Sequence, residues 1–320
     1  MPVTKTMPSD PVKSGIVEQS PSMRFLPFAI MVIAMDGIMA GIPVINYILG
    51  LLALAAYPTL FWTLSRGKVF LIAVLTLTAA SLFSGLSGTL SLAFSITLPG
   101  IILGASMLKR RSPGKAITFA FLPSLVVVIL FLFNRSEIEA GFYLVAKQAF
   151  SNLGAVPGFI SEKGDISKAM QSYLEVVFTL MPSFILLSGV FNVSLAYFAA
   201  QKLLQRSGFQ APSLPKFSTW RPGFKLVWIF IAGLLLTVFQ IGGSEYAGWN
   251  ILVFTGIIYF VSGLAVVESF FVKSKMPFIF KLLFYMGIFF AQLFSLVVLA
   301  GVGLFDCWFN FRHRRIDKAV

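Results

Sequence analysis

The sequence predicts an all-α protein, a polytopic integral membrane helical bundle with about eight or nine transmembrane helices. Hydrophobic residues make up 58% of the 320 residues and charged residues only 12%, whereas soluble globular domains contain about 25% charged residues. The apolar residues also form runs of about 20, the length that one helix needs to cross a hydrocarbon core. Too little polar surface remains for a water-soluble globule, which excludes a cytosolic enzyme.

The apolar runs predict each crossing in turn. The first pair lies within residues 25–65 and is joined near Gly41-Ile-Pro43, and a second pair has only Ser and Gly at its bend. Five later segments follow, of which the last is a single crossing or a short hairpin. The second pair and the later segments are 69–83, 86–108, 116–133, 173–200, 226–241, 251–272 and 277–305.

One membrane-embedded domain is expected over residues 23–311. Residues 1–22 are too polar and too rich in Pro and Ser to pack, so they predict a disordered cytoplasmic tail. Residues 134–172 form a non-spanning insert, in which Ser136-Glu-Ile-Glu139 matches a capping box and begins an amphipathic helix. This helix either rests in the headgroup layer, which we favour, or covers an outward-facing cavity.

The net charge of +13 indicates orientation rather than nucleic-acid binding, because Lys and Arg accumulate in the cytoplasmic loops of membrane proteins. The loop at residues 201–225 is the clearest such segment, and residues 312–320 form a basic C-terminal tail. Nine crossings with the N-terminus inside would place this tail outside. The positive-inside rule disfavours that arrangement, which is why a final hairpin stays open as an alternative.

Neither catalysis nor a cofactor is predicted. The single Cys307 and single His313 exclude an internal disulfide and a His-rich metal cage. Gly85-Leu-Ser87-Gly88 has the form used by rhomboid-type serine proteases, but the sequence has no intramembrane His to activate Ser87. Asp36 and Asp306 match an aspartyl-protease pair only weakly. Because no phosphate-binding P-loop occurs, active transport would need an ion gradient or a separate ATPase.

Asp36 is the most informative residue, because a carboxylate facing lipid inside an apolar run costs a few kcal/mol. It must face protein or water, either as a ligand or proton site or as a hydrogen-bonded structural acid. We predict a small-molecule site that contains Asp36, Asn46, Asn192 and Gln240. Close helix packing is predicted at Gly37-x-x-x-Gly41 and Gly100-x-x-x-Gly104.

Several local patterns together resemble the YybS-like family of bacterial integral membrane proteins. They are Pro58 before Arg66-Gly67, Leu98-Pro99-Gly100 with Gly104 before Lys109-Arg110-Arg111, Phe217-Ser-Thr-Trp220-Arg221-x-x-Phe224, Ser262-Gly263-Leu264-Ala265-Val266, and Gly303-Leu-Phe305-Asp306-Cys-Trp308-Phe309-Asn-Phe311-Arg312. The resemblance covers residues 25–315 and implies location in the bacterial cytoplasmic membrane. It also implies distant kinship with the S-components of energy-coupling-factor vitamin transporters, which bind a small molecule and use a separate coupling protein and ATPases. S-components have about six helices, fewer than predicted here.

Two functions are therefore expected, and both have the lipid bilayer as surroundings. The first is a small-solute binding or transport-related subunit that lacks its own ATPase and associates with a separate ATPase or coupling membrane subunit. The second is a non-catalytic membrane scaffold that recruits partner proteins through its basic cytoplasmic surface. An intramembrane enzyme is a distant third.

Overall fold

The computed structural model of the chain consists of α-helices and turns. It describes residues 21–38, 43–153, 163–206 and 208–313, and within these ranges it has no β-strand. The helices, in chain order, are α1 (Pro21–Ile38), α2 (Pro43–Thr63), α3 (Arg66–Leu92), α4 (Leu98–Leu108), α5 (Pro113–Phe121), α6 (Pro123–Phe133), α7 (Arg135–Leu153), α8 (Lys163–Arg206), α9 (Lys225–Phe239), α10 (Ser244–Lys273) and α11 (Phe278–Phe309). A π-helical turn, Ala93–Thr97, joins α3 to α4.

Five helical stretches of the described chain are long and apolar enough to cross a membrane. They are Arg66–Leu108, Pro113–Phe133, Gln171–Arg206, Ser244–Lys273 and Phe278–Phe309. Three further apolar helices are shorter, namely Leu26–Asp36, Tyr47–Thr63 and Lys225–Phe239. The helical membrane class is thus confirmed, but the predicted count of eight or nine crossings is not supported. The count differs because three predicted crossings lie in short helices and because residues 69–108, predicted as a pair, belong to one helical stretch that turns back at Gly85.

Two of the long helical stretches are bent sharply. Arg66–Leu108 bends at Gly85, whose φ of 66° and ψ of −171° lie outside the helical region. α11 bends at Gln292, with φ 41° and ψ −115°. Beyond this bend the Ser295 hydroxyl donates to the carbonyl of Ile288 at 2.9 Å. Seven residues of straight helix rise about 10 Å, so α11 folds back on itself at Gln292.

The bend in α11 brings the start of the C-terminal tail back to the end of α10. Lys273 Nζ donates to the carbonyl oxygen of Arg312, and the Arg312 guanidinium donates to the carbonyl of Trp220 at 2.6 Å. The described start of the tail therefore lies beside the basic loop 201–225. This geometry removes the topological conflict that a single last crossing would create.

Basic connections from distant parts of the sequence meet at one end of the bundle. Trp62, at the end of α2, lies 4.5 Å from the ring of Phe209, which follows α8. Arg110, which follows α4, lies 5.7 Å above the same ring. We call the end that contains residues 64–68, 109–115 and 201–225 the basic end. The positive-inside rule predicts that this end lies on the cytoplasmic side of the membrane.

α2 and α4 run in the same direction with little space between them. The contacts are Gly50 with Ile96, Gly100 with Tyr57, and Gly104 with Phe61 and the Pro58 backbone. In each of these contacts a Cβ in place of the glycine hydrogen would overlap the partner side chain. Small residues let helices approach in this way.

α8 lies at the centre of the bundle and packs against α2, α5, α6 and α10. Pro182 interrupts its backbone hydrogen bonding. The side-chain amide of Asn250 in α10 reaches this interruption, accepting from the Ser183 N–H at 2.9 Å and donating to the Thr179 carbonyl at 2.7 Å. Ser183 and Thr179 are the i and i−4 partners of a helical hydrogen bond. One amide group of a neighbouring helix therefore bridges the break.

The insert contains the predicted helix, since α7 covers Arg135–Leu153. α7 is not among the helices apolar enough to span a membrane. It packs against the first part of α8, where Gln171 donates to the Tyr143 hydroxyl at 3.4 Å and Phe142 meets Phe178 edge to face. The choice between a headgroup-layer helix and a lid stays a prediction.

Large apolar side chains cover much of the outer surface of the bundle. On α11, Phe289, Phe290, Leu293 and Phe294 are each about three-quarters exposed. Water would oppose such a surface strongly, whereas hydrocarbon does not. The exposed surface therefore agrees with burial of these helices in lipid.

Candidate functional site

Three polar side chains are sealed inside the bundle, between its two ends. Asp36, Tyr57 and Thr97 are only 1%, 1% and 2% exposed. The Tyr57 hydroxyl lies close to the Thr97 hydroxyl, and the Asp36 carboxylate is near enough to act on Tyr57 electrostatically. We call these three residues the Asp36 cluster.

Each residue of the Asp36 cluster comes from a different element. Asp36 is in the last described turn of α1, Tyr57 is in the middle of α2, and Thr97 is the last residue of the π-helical turn. The Leu98 N–H bonds to the Ala93 carbonyl, five residues back, and this wider turn places Thr97 towards α2. π-Helical turns inside α-helices are frequent at functional sites. Gly100 leaves the space that the Tyr57 ring fills.

The Asp36 cluster has unused bonding capacity. Within the described chain, Asp36 Oδ1, Tyr57 Oη and Thr97 Oγ1 are buried without a hydrogen bond of good geometry. No ion pair of the described residues involves Asp36. Unsatisfied buried polar atoms cost about 1–3 kcal/mol each, and more for charged groups. Packing alone does not explain three such oxygens together, so they point to a bound species.

A cleft of about 810 Å³ opens near the Gly85 bend, at the end of the bundle opposite the basic end. It lies between the helix that follows the Gly85 bend, the end of α6 and the start of α7. Its polar lining comes from Ser87, Ser91, Asn134 and Glu137. Ser91 precedes Thr97 by six residues, about 9 Å along a helix, so one helical segment connects the cleft to the Asp36 cluster.

The other predicted site residues do not gather around Asp36 in the described structure. Asn192 in α8 is partly buried and accepts from the Tyr47 hydroxyl at 3.1 Å. Gln240 is exposed and ends α9 with a left-handed φ of 49°. The side chain of Asn46 lies outside the described part of the chain, as does Gly41. Gly37 lies in the last described turn of α1, next to Asp36.

A second polar cluster lies at the basic end. Asp306 is buried and pairs with Arg312 at 3.1 Å and with the half-exposed Arg221 at 3.3 Å. Arg221 also bonds to the side chain of Asn310, and Arg312 donates to the carbonyls of Ser218 and Ser262 at 3.1 and 3.3 Å. We call Arg221, Asp306 and Arg312 the Asp306 cluster.

The Asp306 cluster joins three motifs that lie far apart in the sequence. Residues 217–224, 262–266 and 303–312 each contribute to it. Burial lowers the pKa of the Arg312 guanidinium, while the Asp306 carboxylate favours its charged form. Because its charges are paired with one another and Arg312 also donates to backbone carbonyls, this cluster holds the loop 201–225, α10 and Arg312 together.

The described structure separates the acids and the serine that the sequence analysis weighed for a hydrolytic centre. Asp36 and Asp306 belong to separate clusters, since α1 packs against α2 and α3 whereas α11 packs against α10. Ser87 is exposed in the cleft, and the turn that contains His313 lies at the basic end. No group of three or more His, Cys, Asp or Glu residues that could hold a metal ion occurs in the described ranges.

Sequence reasoning missed Tyr57, Thr97 and Asn250. Tyr57 and Thr97 sit in apolar runs whose pattern does not show that they share a neighbour with Asp36. Pro182 in a helical run indicates a backbone interruption that some polar group should satisfy. The polarity of Asn250 is the only property in the sequence that could have identified it as this group. The sequence does not say which helix supplies that group.

A comparison with family models shows one match. The family is described as "Predicted membrane protein (DUF2232)", and its model matches residues 28–307, which include both polar clusters except for Arg312. No curated protein and no solved structure matches the chain.

Proposed function

Because the chain belongs to the DUF2232 family of predicted membrane proteins, we propose that it is a small-solute binding or transport-related subunit. Its setting in this proposal is the bacterial cytoplasmic membrane, with the basic end inside. The proposal includes no catalytic activity of the chain itself. YybS-like membership and kinship with S-components remain predictions from the sequence.

The observation that carries the proposal is the Asp36 cluster, with three buried oxygens that lack good partners among the described residues. Polar groups within a membrane bundle are costly and mark ion or substrate pathways. The nearby cleft of about 810 Å³ supplies room for a small solute, since ligand sites commonly measure about 300–1,000 Å³. The sequence has no P-loop, so a separate ATPase or an ion gradient would supply energy.

Native mass spectrometry of the protein in mild detergent tests this function. We expect a stoichiometric small organic ligand or a co-purifying ATPase subunit with the wild type. Asp36→Asn and Asp36→Ala should reduce ligand occupancy, whereas Glu245→Gln, which neutralises an acid in the first turn of α10, should not. Unchanged ligand binding and folding in both Asp36 variants would show that the proposed site is wrong.

A scaffold is the second candidate, and the Asp306 cluster is the observation that favours it. The cluster fixes the basic loop 201–225 to the chain end, so this surface has a defined shape. The exposed Lys216 and Lys225 are available for acidic partner proteins. Under this alternative Lys216→Gln with Lys225→Gln releases co-purifying proteins, whereas a solute-binding subunit with the same changes retains its ligand.

A further inference from the structure

We infer that the Asp36 cluster binds one desolvated monovalent cation of the size of Na⁺. The inference rests on the proposed function, since it takes the Asp36 cluster as the functional centre. It divides the site into two parts, an ion position inside the bundle and a solute position in the adjacent cleft.

The donor set of the Asp36 cluster is made of oxygen atoms. It contains one carboxylate, one phenol and one aliphatic hydroxyl, all three nearly fully buried. Hard cations bind such oxygens, whereas zinc and copper favour nitrogen and sulfur. One carboxylate balances one positive charge, and no group of three or more Asp, Glu, His or Cys residues that could hold a multivalent ion occurs in the described chain.

The position of Asp36 in its helix also calls for a positive charge. α1 ends before Pro43, where α2 begins, so Asp36 lies close to the C-terminal end of α1. The carbonyl groups at this end of a helix carry partial negative charge, which disfavours a carboxylate and favours a cation. No Lys or Arg of the described chain pairs with Asp36. Helix C-terminal ends and carboxylates coordinate Na⁺ in this manner in membrane transporters.

Size separates the ion position from the solute position. The three side chains of the Asp36 cluster are sealed from the surface, and Gly50 and Ile96 pack closely beside Asp36. An organic solute needs hundreds of Å³, which the cleft provides and such a sealed position does not. The helical segment from Ser91 to Thr97 contributes to both positions. Ion binding at Thr97 would therefore order the wall of the cleft.

Thermal unfolding of the full-length protein in detergent tests the inference. The midpoint Tm is measured in NaCl, KCl or choline chloride at constant ionic strength, because a ligand that binds only the folded state raises Tm further as its concentration increases relative to its Kd. We expect NaCl to raise Tm of the wild type relative to choline chloride. Asp36→Asn should abolish this rise, and Thr97→Val should shift it to about tenfold higher NaCl.

Conservative variants guard against loss of folding. Tyr57→Phe, like Thr97→Val, retains the carboxylate and the shape of the core, so both report on ligation without removing the charge. Thr255→Val is the matched control for Thr97, because Thr255 is equally buried but bonds to the Ile251 carbonyl at 2.6 Å. Its response to NaCl should equal that of the wild type.

Two outcomes would overturn the inference. One is a wild-type Tm that is the same in NaCl, KCl and choline chloride. The other is a Tm that depends only on pH and loses this dependence in Asp36→Asn, since the bound species would then be a proton.

Failure of the ion site and failure of the proposed function are separable. Ser91→Leu, in the cleft, should remove the organic ligand seen by mass spectrometry while the NaCl effect persists, and Ser95→Leu, one turn further along and outside the cleft lining, should remove neither. A retained organic ligand without a NaCl effect would overturn the ion site alone. A NaCl effect without any organic ligand would overturn the solute-binding function alone.

Discussion

Single residues decide how polar groups are satisfied inside this bundle, and Asn250 is the clearest case. Its amide bridges Thr179 and Ser183 on either side of Pro182 in α8, and Ser183 Oγ adds a contact of 2.6 Å to its carbonyl oxygen. These bonds join two spanning helices in surroundings where water cannot replace them.

Asn250→Ala should therefore lower the free energy of unfolding by about 1–3 kcal/mol, since it leaves buried backbone groups without partners. Denaturant unfolding in detergent measures this change. Asn192→Ala is the control, because Asn192 accepts one bond, from the exposed Tyr47, and should lose less than about 1 kcal/mol. Equal stabilities for the two variants would contradict the role assigned to Asn250.

The Asp306 cluster makes a second prediction at this scale. Arg312→Ala should cost about 3–5 kcal/mol, because it leaves the buried Asp306 carboxylate with only the half-exposed Arg221. Removing both charges with Asp306→Asn and Arg312→Ala should cost less than the sum of the single changes. A double-mutant cycle of unfolding free energies measures the difference, and strict additivity would show that the two residues do not interact.

The sequence predicts part of the candidate site at this scale. A carboxylate within an apolar run must avoid lipid, so the burial of Asp36 follows from its surroundings in the sequence. The residues that surround Asp36 depend on which helices are neighbours and how each is rotated about its axis. The apolar sequence around Asp36 contains neither piece of information. Gln240 shows the converse, because its polarity suggested a cavity while its left-handed backbone places it on the surface at the end of α9.

Between elements, glycines set the closest contacts, above all where α10 crosses α11. A Cβ on Gly263 would overlap the Leu299 backbone carbonyl, and one on Gly303 would overlap that of Tyr259. Backbone atoms in two packed helices cannot move aside as a flexible side chain can. The crossing therefore depends on the absence of side chains at both positions.

Gly263→Ala should lower the free energy of unfolding by about 1–3 kcal/mol, as overpacking does in other cores. Each helix has a built-in control, since a Cβ on Gly256 of α10 or Gly301 of α11 meets no atom within 4 Å of the described structure. Alanine there should be neutral or stabilise by up to about 1 kcal/mol. A destabilised Gly256→Ala together with a neutral Gly263→Ala would contradict the observed crossing.

The two bends show where element boundaries can and cannot be predicted. Gly85 lies within the Ser and Gly residues that suggested a bend, and its positive φ suits glycine. Gln292 also has a positive φ, yet its neighbours form an uninterrupted apolar run with no turn residues. The basic charge of the C-terminal tail, and not the local sequence, raised the hairpin as an alternative there, and contacts with α10 fix where it turns.

For the whole molecule, the loops that meet at each end of the bundle predict on which side of the membrane each loop and the C-terminus lie. The loop 201–225, the end of α10 and Arg312 lie together, so a reporter fused after Val320 should report the same side as one placed at Gly223. A reporter at Gly242, between α9 and α10, should report the opposite side. Reporter activity in whole cells measures these sides. An external C-terminus with an internal Gly223 would contradict the folded-back α11.

The class of the whole molecule follows from composition, because membrane-spanning helices impose a strong and uniform requirement on sequence. Its crossings do not follow as simply. Leu26–Asp36 and Lys225–Phe239 are apolar but short. Hydropathy therefore predicts crossings at positions where the described helices are shorter than a full membrane span. Packing against longer neighbours, rather than their own length, holds such helices in place.

The positions of the two polar clusters along the chain also set an order of assembly during synthesis. Every residue of the Asp36 cluster lies between positions 36 and 97, so all its parts enter the membrane before α8 has been made. The Asp306 cluster draws on residues from Ser218 to Arg312, which are made after α8. The ion position is thus available to the nascent chain early, and the basic end is fastened only after all residues of the Asp36 cluster have been made.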